Sequence, residues 1–256
     1  MKQSDYKEII KQLEKESNFA YYFLGAFVTD GHMYNSSKRT YVYQSILTSK
    51  DKDWLEIINR QINNNGYITN SNRDNCSYLK FYGKHVYDWL YNHGCTPRKS
   101  LDLKIPNIPS IYMKDFIRGC IDGDGSISIA DYQATKNQKT YKQLSVYLCG
   151  ASCDFIKSIS NILNELNFEH SFVTPKLKSS KIGNRIIVAK NPIYRLQFSG
   201  FKRGVKLLEW LYDNNELAML RKKQLAKQAI DYYHNDKFQH HGGATGISTR
   251  TSLSGQ

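Results

Sequence analysis

Two aspartates, Asp30 and Asp124, close two matching segments of the chain and are the residues best suited to chemistry. Residues 23–31 read FLGAFVTDG, and residues 117–125 read IRGCIDGDG. Both segments have glycine at the third position and end in Asp-Gly. Carboxylates are hard oxygen ligands of the kind that Mg²⁺ prefers, and a Mg²⁺ ion held in this way can activate water for hydrolysis. If the fold brings the two carboxylates together, they could hold a divalent ion.

The glycines of the two segments, Gly25 and Gly119, lie inside runs whose apolar spacing predicts a helix. A glycine inside a helix costs about 1 kcal/mol relative to alanine, so its occurrence in both segments needs a reason. Close approach of two helix backbones is such a reason, since the neighbours Ala26 and Cys120 are also small. We expect the two helices to pack tightly against each other.

The elements around the two segments predict an internal repeat with the order helix, two strands, helix, two strands and helix. In the first half, the patterns predict helices at residues 5–16, 19–29, 52–62 and 86–91 and strands at 41–48, near 67 and at 78–82. In the second half, they predict helices at 114–121, 154–166, 205–212 and 216–233 and strands at 126–130, 142–149, near 172, at 185–188 and at 194–198.

Local echoes support duplication, because residues 88–91 read DWLY and residues 209–212 read EWLY. We predict an N-terminal subdomain at 1–95, a linker at 96–110, a C-terminal subdomain at 111–233 and a flexible tail at 234–256. The linker assignment rests on three prolines between residues 97 and 109, and the tail assignment on its wealth of Gly, Ser and Thr.

Composition describes a globular, basic protein. The chain has 256 residues, 40% of them hydrophobic, and a net charge of +13, which on composition alone indicates either a polyanionic partner or a merely basic protein. No apolar run approaches the roughly 20 residues of a membrane span, and the N-terminus lacks the apolar core of a secretory signal. The five cysteines form no CxxC pair, which argues against zinc. We expect no membrane partner and an intracellular location, in a bacterial or phage cytoplasm or an organelle.

The two segments resemble the paired motifs of single-chain LAGLIDADG homing endonucleases. The resemblance spans nearly the whole chain, since each segment opens a unit with the element order of that family. It implies an α+β fold of two pseudo-symmetric subdomains, each a curved antiparallel sheet backed by helices, with the motif helices packed at the interface. It implies the activity as well: a monomeric, site-specific endonuclease that cuts both strands of a long asymmetric DNA target by metal-dependent phosphodiester hydrolysis.

The resemblance also assigns the metal site. Asp30 and Asp124 would be catalytic and would bind the metal, with the carbonyls of Thr29 and Gly123 completing its shell, and each aspartate would serve mainly one strand. Mg²⁺ is the expected ion, with Mn²⁺ or Ca²⁺ as substitutes for binding. The first copy has Val28 where the second has Asp122, but the final acid is present in both.

Basic residues complete the implied site. By resemblance, Lys99 and Lys222 occupy matching places in the two halves, near the scissile phosphates, and would be catalytic through their positive charge. Ordinary solvated lysines in a basic run are the alternative. Arg118 is unusual in a packing helix, and we expect it to point outward or to mark a looser contact.

Sequence readout should come from strands, whose side chains alternate between two faces. Amide side chains can read adenine and Arg can read guanine in the major groove. The predicted DNA-binding residues of the first half are Tyr34, Ser36, Lys38, Thr40, Gln44, Thr69, Ser71 and Arg73. Those of the second half are Ser128, Tyr132, Tyr141, Gln143, Ser145, Tyr147, Lys176, Arg195 and Gln197. Because the two sets differ, we predict a non-palindromic target; a one-residue register slip would exchange each set for its neighbours.

Several alternatives compete with this interpretation. A calcium loop starting at Asp122 would need glutamate at its twelfth position, and Gln133 stands there. An Asp-Gly turn after a helix would explain either segment alone. Two functional alternatives stay open: a maturase that binds its own intron RNA, and a binding-only DNA regulator on the same fold. An intein is not expected, because the chain starts at Met1 and ends in Gly255-Gln256.

Overall fold

The described part of the chain forms two halves that repeat one arrangement of helices and strands. The computed structural model describes residues 3–36, 43–97, 101–133, 140–174, 179–182, 185–188, 191–213 and 215–241. The first half consists of α1 Gln3–Glu14, α2 Asn18–Asp30, β1 Gly31–Asn35, β2 Tyr43–Ser49, α3 Lys52–Gln61, β3 Tyr67–Ser71, β4 Cys76–Tyr82 and α4 Lys84–Asn92.

The second half repeats the order from α2 to α4 and adds two strands and a final helix. It consists of α5 Met113–Asp124, β5 Gly125–Gln133, β6 Thr140–Gly150, α6 Cys153–Glu165, β7 Ser171–Val173, β8 Ser179–Ile182, β9 Arg185–Val188, β10 Tyr194–Ser199, α7 Phe201–Tyr212 and α8 Leu220–His241. The predicted order of helix, two strands, helix, two strands and helix is confirmed from α2 to α4, whereas the second half has four strands between α6 and α7. The strands β1 and β8 had no predicted range, and β8 pairs with β9 as a separate two-stranded sheet.

Each half has one antiparallel four-stranded sheet. The strand orders are β1-β2-β4-β3 in the first half and β5-β6-β10-β7 in the second. Alternate residues are buried in the inner strands β2, β4, β6 and β10, as Ser45, Leu47 and Ser49 show in β2, so one face of each four-stranded sheet packs on helices. The predicted α+β fold is confirmed. None of the helices in the described ranges is both long and apolar enough to cross a membrane.

The two halves turn from sheet to helix through equivalent glycines. Gly83 and Gly200 precede α4 and α7 with φ angles of 115° and 86°, a region that residues with a Cβ rarely adopt. Their N–H groups donate to the carbonyls of Tyr43 and Leu144, at 3.0 and 2.8 Å, on the second strand of each half. The DWLY and EWLY echoes fall in α4 and α7, so the predicted duplication corresponds to equivalent elements.

The last helix is longer than predicted. It continues to His241, past the predicted start of the tail at residue 234. The imidazole of His234 lies 2.7 Å from the carboxylate of Glu209 on α7, and the ring of Tyr233 stacks on Phe201, 6.3 Å between centroids. These contacts hold the helix at residues 233 and 234, so the helix extends into the segment that was assigned to the tail. Residues 242–256 lie outside the described part, and the other domain boundaries stay predictions.

The linker prediction falls on a segment that packs closely on the second half. Residues 103–109 have no helix or strand, and Leu103 and Ile108 are buried. The hydroxyl of Ser152, which also caps α6, donates to the carbonyl of Leu103 at 2.6 Å. A connection that buries apolar side chains and accepts a buried hydrogen bond constrains the subdomains that it joins.

Candidate active site

The motif helices α2 and α5 touch backbone to backbone. A Cβ built on Gly25 would collide with the carbonyl oxygen of Phe116, and one on Gly119 would collide with that of Tyr22. The contact is reciprocal, since each glycine faces the carbonyl of the residue three positions before the other glycine. The tight helix packing expected from the paired glycines is confirmed.

The reciprocal packing brings the C-terminal ends of α2 and α5 to the same place. A Cβ on Gly123 would overlap the side chain of Thr29 and would lie 3.2 Å from Oδ2 of Asp30. Asp124 in turn lines a cavity of about 50 Å³ together with Val28 and Thr29 of the opposite helix. Each aspartate therefore lies against the helix end of the other half, and only glycine fits at position 123.

The donor set at this place suits a hard divalent cation. Two carboxylates converge with the carbonyl ends of two helices, which carry partial negative charge. Among the described residues, no group of three His, Cys, Asp or Glu side chains could hold a metal, so further ligands would be backbone oxygens or water. The Thr29 hydroxyl donates to the carbonyl of Ala26 at 2.9 Å. The predicted metal ligand from Thr29 is its backbone carbonyl.

Lys222 lies at the end of α5 and is not a solvated lysine. Its side chain is only 3% exposed. Its Nζ donates to the carbonyls of Ile121, Asp122 and Gly123, at 2.7, 2.5 and 2.9 Å, so all three of its N–H donors are used. Burial lowers the pKa of Lys222 to about 8, against the opposing effect of the Asp122 carboxylate.

This position refines the prediction made for Lys222. The solvated alternative is wrong, but the ammonium neutralises helix-end carbonyls instead of extending toward an external phosphate. One of these carbonyls, that of Gly123, was predicted to be a metal ligand, and only its second lone pair is left for a metal. Lys99, the predicted partner in the first half, lies outside the described residues.

Replacing Lys222 with methionine is expected to lower the free energy of unfolding by about 3 kcal/mol, because three buried carbonyls lose their donor. Urea unfolding followed by circular dichroism measures this loss. Lys227→Met is the matched control, since Lys227 is exposed and pairs only with Asp231 in the next turn of the same helix. Equal stability of the two variants would show that the Lys222 contacts contribute nothing.

The expectation for Arg118 was wrong. The side chain is fully buried and points inward, where it donates to Leu211 O at 3.3 Å, Leu217 O at 3.0 Å and Asp115 Oδ1 at 2.6 Å. The guanidinium thereby ties α5 to the end of α7 and to the segment that follows it. The acid three residues earlier on the same helix was the sequence signal for this buried pair.

The predicted DNA-binding residues of the first half share the exposed face of their sheet where they are described. Tyr34 pairs with Gln44 across β1 and β2, and Thr69 faces Tyr78 across β3 and β4. Ser71 has the same orientation, Ser36 directly follows β1, and Arg73 lies in the exposed β3–β4 turn. Lys38 and Thr40 lie outside the described residues. Sequence reasoning missed other side chains of the same face, His32, Thr48, Tyr67, Tyr78, Lys80 and Tyr82.

The predicted set of the second half also lies on one face. Ser128 pairs with Ser145, Tyr132 with Tyr141, and Gln197 with Tyr147, while Gln143 and Arg195 have the same phase. The opposite face buries, among others, Leu144, Val146, Leu196 and Phe198. Lys176 lies outside the described residues. Ser126, Cys149, Ser171 and Ser199 belong to the same face and were missed, although the two-residue alternation would have found them.

The fold is that of two-motif LAGLIDADG homing endonucleases. The I-LtrWI LAGLIDADG homing endonuclease bound to target DNA is 12% identical with a TM-score of 0.59, over 91% of this chain and 94% of that chain. The LAGLIDADG meganuclease I-AabMI bound to uncleaved DNA is 12% identical with a TM-score of 0.56, over 84% and 91%. I-SmaMI bound to an uncleaved DNA target in the presence of calcium ions is 10% identical with a TM-score of 0.52, over 84% and 92%. No protein-family model and no curated protein sequence matches the chain.

Proposed function

We propose that this chain is a site-specific endonuclease that cuts both strands of a DNA duplex as a monomer. The observation that carries the proposal is the convergence of Asp30 and Asp124 where two glycine-packed helices end. Since β1 and β5 start at the residue after each aspartate, the two exposed sheet faces begin beside the carboxylates. A duplex lying along both faces would therefore place its backbone over the acidic pair.

The exposed faces have the chemistry of a groove-reading surface. Their described side chains are mostly hydroxyl, amide and tyrosine groups, which can contact both phosphates and base edges. The net charge of +13 supplies the general attraction for a polyanion. The solved structures with this fold that are named above are bound to DNA, which supports DNA as the partner of this chain.

The proposed cofactor is Mg²⁺, held by the carboxylates of Asp30 and Asp124, with the carbonyls of Thr29 and Gly123 as further ligands. Such an ion would supply an activated water and charge stabilisation for the leaving oxygen. The calcium ions reported with I-SmaMI support divalent metal use in this fold. In the protein itself, the two helix ends add negative potential beside the carboxylates, and the Lys222 ammonium limits that potential at α5.

The proposal is tested in two steps. Duplexes that bind the protein are first selected from a randomised library in EDTA, and Mg²⁺ is then added to the selected complexes. The proposal predicts enrichment of one long asymmetric sequence and cleavage of both strands only after Mg²⁺ is added. Tight binding without cleavage in Mg²⁺, Mn²⁺ or Ca²⁺ would instead indicate a binding-only regulator. Preference for structured intron RNA over every duplex would indicate a maturase. An intracellular location belongs to the same proposal, because the target would be cellular DNA.

Replacing Arg195 with alanine should remove a preference for guanine at one position of the selected sequence. Its guanidinium lies over the ring of Tyr147, 5.4 Å from the centroid, on the exposed face of the second sheet. A preoriented Arg can bind guanine with two hydrogen bonds, and its loss would weaken discrimination at that base pair by about tenfold. Repeating the selection with the variant measures this change. Arg203→Ala is the control, since Arg203 is on α7 and pairs with Glu169; an unchanged selected sequence in Arg195→Ala would contradict the assignment.

A further inference from the structure

Asp122 is a fully buried carboxylate that joins three elements. It accepts hydrogen bonds from the hydroxyl of Tyr22 at 2.6 Å, the hydroxyl of Tyr212 at 2.6 Å and the backbone N–H of Met219 at 3.0 Å. Tyr22 belongs to the motif helix of the first half and Tyr212 to the end of α7, while Met219 directly precedes α8. A buried carboxylate with three donors is strongly fixed in position.

The contacts of Asp122 determine where α8 begins. The carbonyl of Met219 accepts from the N–H of Lys223 at 2.9 Å, so Met219 opens the hydrogen-bond ladder of the helix. A carboxylate at this end interacts favourably with the helix dipole. Tyr22 is itself held from the first half, because Nε1 of Trp54 donates to its hydroxyl at 2.7 Å.

The start of α8 returns to the same turn of α5. Lys222 lies in the first turn of α8 and donates to the carbonyls of Ile121, Asp122 and Gly123. The Asp122 side chain therefore holds the helix whose lysine holds the Asp122 backbone. This closed arrangement reaches Gly123, the residue directly before Asp124 and the position that only glycine can fill.

The first half has an apolar residue, not a carboxylate, at the corresponding position. Val28 stands where Asp122 would be, and it is apolar and only 3% exposed. Among the positions at which the two motif copies differ, this is the one where an acid is replaced. The buried carboxylate therefore lies beside Asp124 and has no equivalent at position 28.

We propose that Asp122 is a positioning residue that acts through Tyr22, Tyr212 and Lys222 to set the position of Asp124, and so controls cleavage of one of the two DNA strands. This inference rests on the proposed endonuclease function. Because Val28 places no carboxylate beside Asp30 at the position equivalent to Asp122, replacing Asp122 should change the balance between the two cuts and leave duplex binding intact.

The test uses the full chain and the selected duplex, with each strand labelled separately and single-turnover cleavage followed in Mg²⁺. Asp122→Asn should slow one strand by about tenfold or more, the effect of losing one well-made buried hydrogen bond, and should leave the other within about twofold. Tyr212→Phe should slow the same strand by a smaller factor. The structural control is Asp115→Asn, since Asp115 is equally buried on α5 but pairs with Arg118; it should lower the unfolding midpoint without changing the strand ratio.

A second readout separates this inference from the proposed function. Reductive methylation followed by mass spectrometry reports how accessible the amine of Lys222 is, without any cleavage. Lys222 should be protected in the wild type and in Asp115→Asn, and modified at least several-fold faster in Asp122→Asn. Equal slowing of both strands, or unchanged Lys222 protection in Asp122→Asn, would overturn the positioning role. A wild type that cuts no duplex refutes the endonuclease, and the Lys222 readout then still decides whether Asp122 positions the lysine.

Discussion

Asp124→Asn should bind its target duplex as the wild type does and cleave one strand at least about a hundredfold more slowly. The substitution keeps the shape of the side chain but removes the negative charge that would hold a divalent ion. Such an ion stabilises the charge of the transition state by several kcal/mol. Asp30→Asn should have the same effect on the opposite strand. Strand-resolved cleavage with a parallel binding assay measures both quantities.

The matched control for the aspartate variants is Asp131→Asn. Asp131 is exposed on β5, close in sequence to Asp124, and forms an ion pair with Lys142 at 3.1 Å. An exposed pair of this kind is worth little, so both cuts should proceed at the wild-type rate. Wild-type cleavage of both strands by Asp30→Asn and Asp124→Asn would remove the two carboxylates from the mechanism.

Gly119→Ala should lower the free energy of unfolding by roughly 3 kcal/mol, because the added methyl group collides with the Tyr22 backbone and cannot be relieved by a rotamer change. Gly25→Ala should lower the free energy of unfolding by a similar amount, because its methyl group collides with the Phe116 carbonyl. Chemical denaturation measures the loss of unfolding free energy. Because the added methyl group pushes α2 and α5 apart, both variants should also lose more cleavage than binding.

The control for the glycine variants is the same substitution on another helix. At Gly204 of α7 an added Cβ would meet mainly the end of the Leu144 side chain, which can shift. Alanine is also the better helix former, so Gly204→Ala should leave stability within about 1 kcal/mol of the wild type. Similar losses at Gly119 and Gly204 would mean that the α2–α5 contact is not specially constrained.

The features that the sequence could predict are those with local or repeated signals. The spacing of Gly25 and Gly119 within apolar runs indicated the helix contact, and the Asp-Gly ends indicated where the carboxylates meet. Two-residue alternation gave the correct phase of Gln44, Ser145 and Gln197, because a buried sheet face fixes the register.

The features that could not be predicted depend on contacts between distant residues. Arg118 was expected outside the core because its partners include carbonyls of residues 211 and 217, far along the chain. Lys222 was expected near a phosphate, and only the folded chain shows its ammonium on the end of α5. Val28 in place of Asp122 looked like a neutral departure of the first motif, because the three donors to Asp122 lie on segments that are distant in sequence.

The most direct measurement of the central claim is cleavage of a randomised duplex library by the wild type and by the double variant Asp30→Asn/Asp124→Asn, each with Mg²⁺ and with EDTA. Sequencing of the new ends gives both the site and the strand positions of the cuts. We expect paired cuts at one asymmetric sequence for the wild type in Mg²⁺ alone, and none for a folded double variant that still binds the same sequence. Cuts at that sequence by the double variant, or cuts by the wild type in EDTA, would contradict a metal-dependent site built on the two carboxylates.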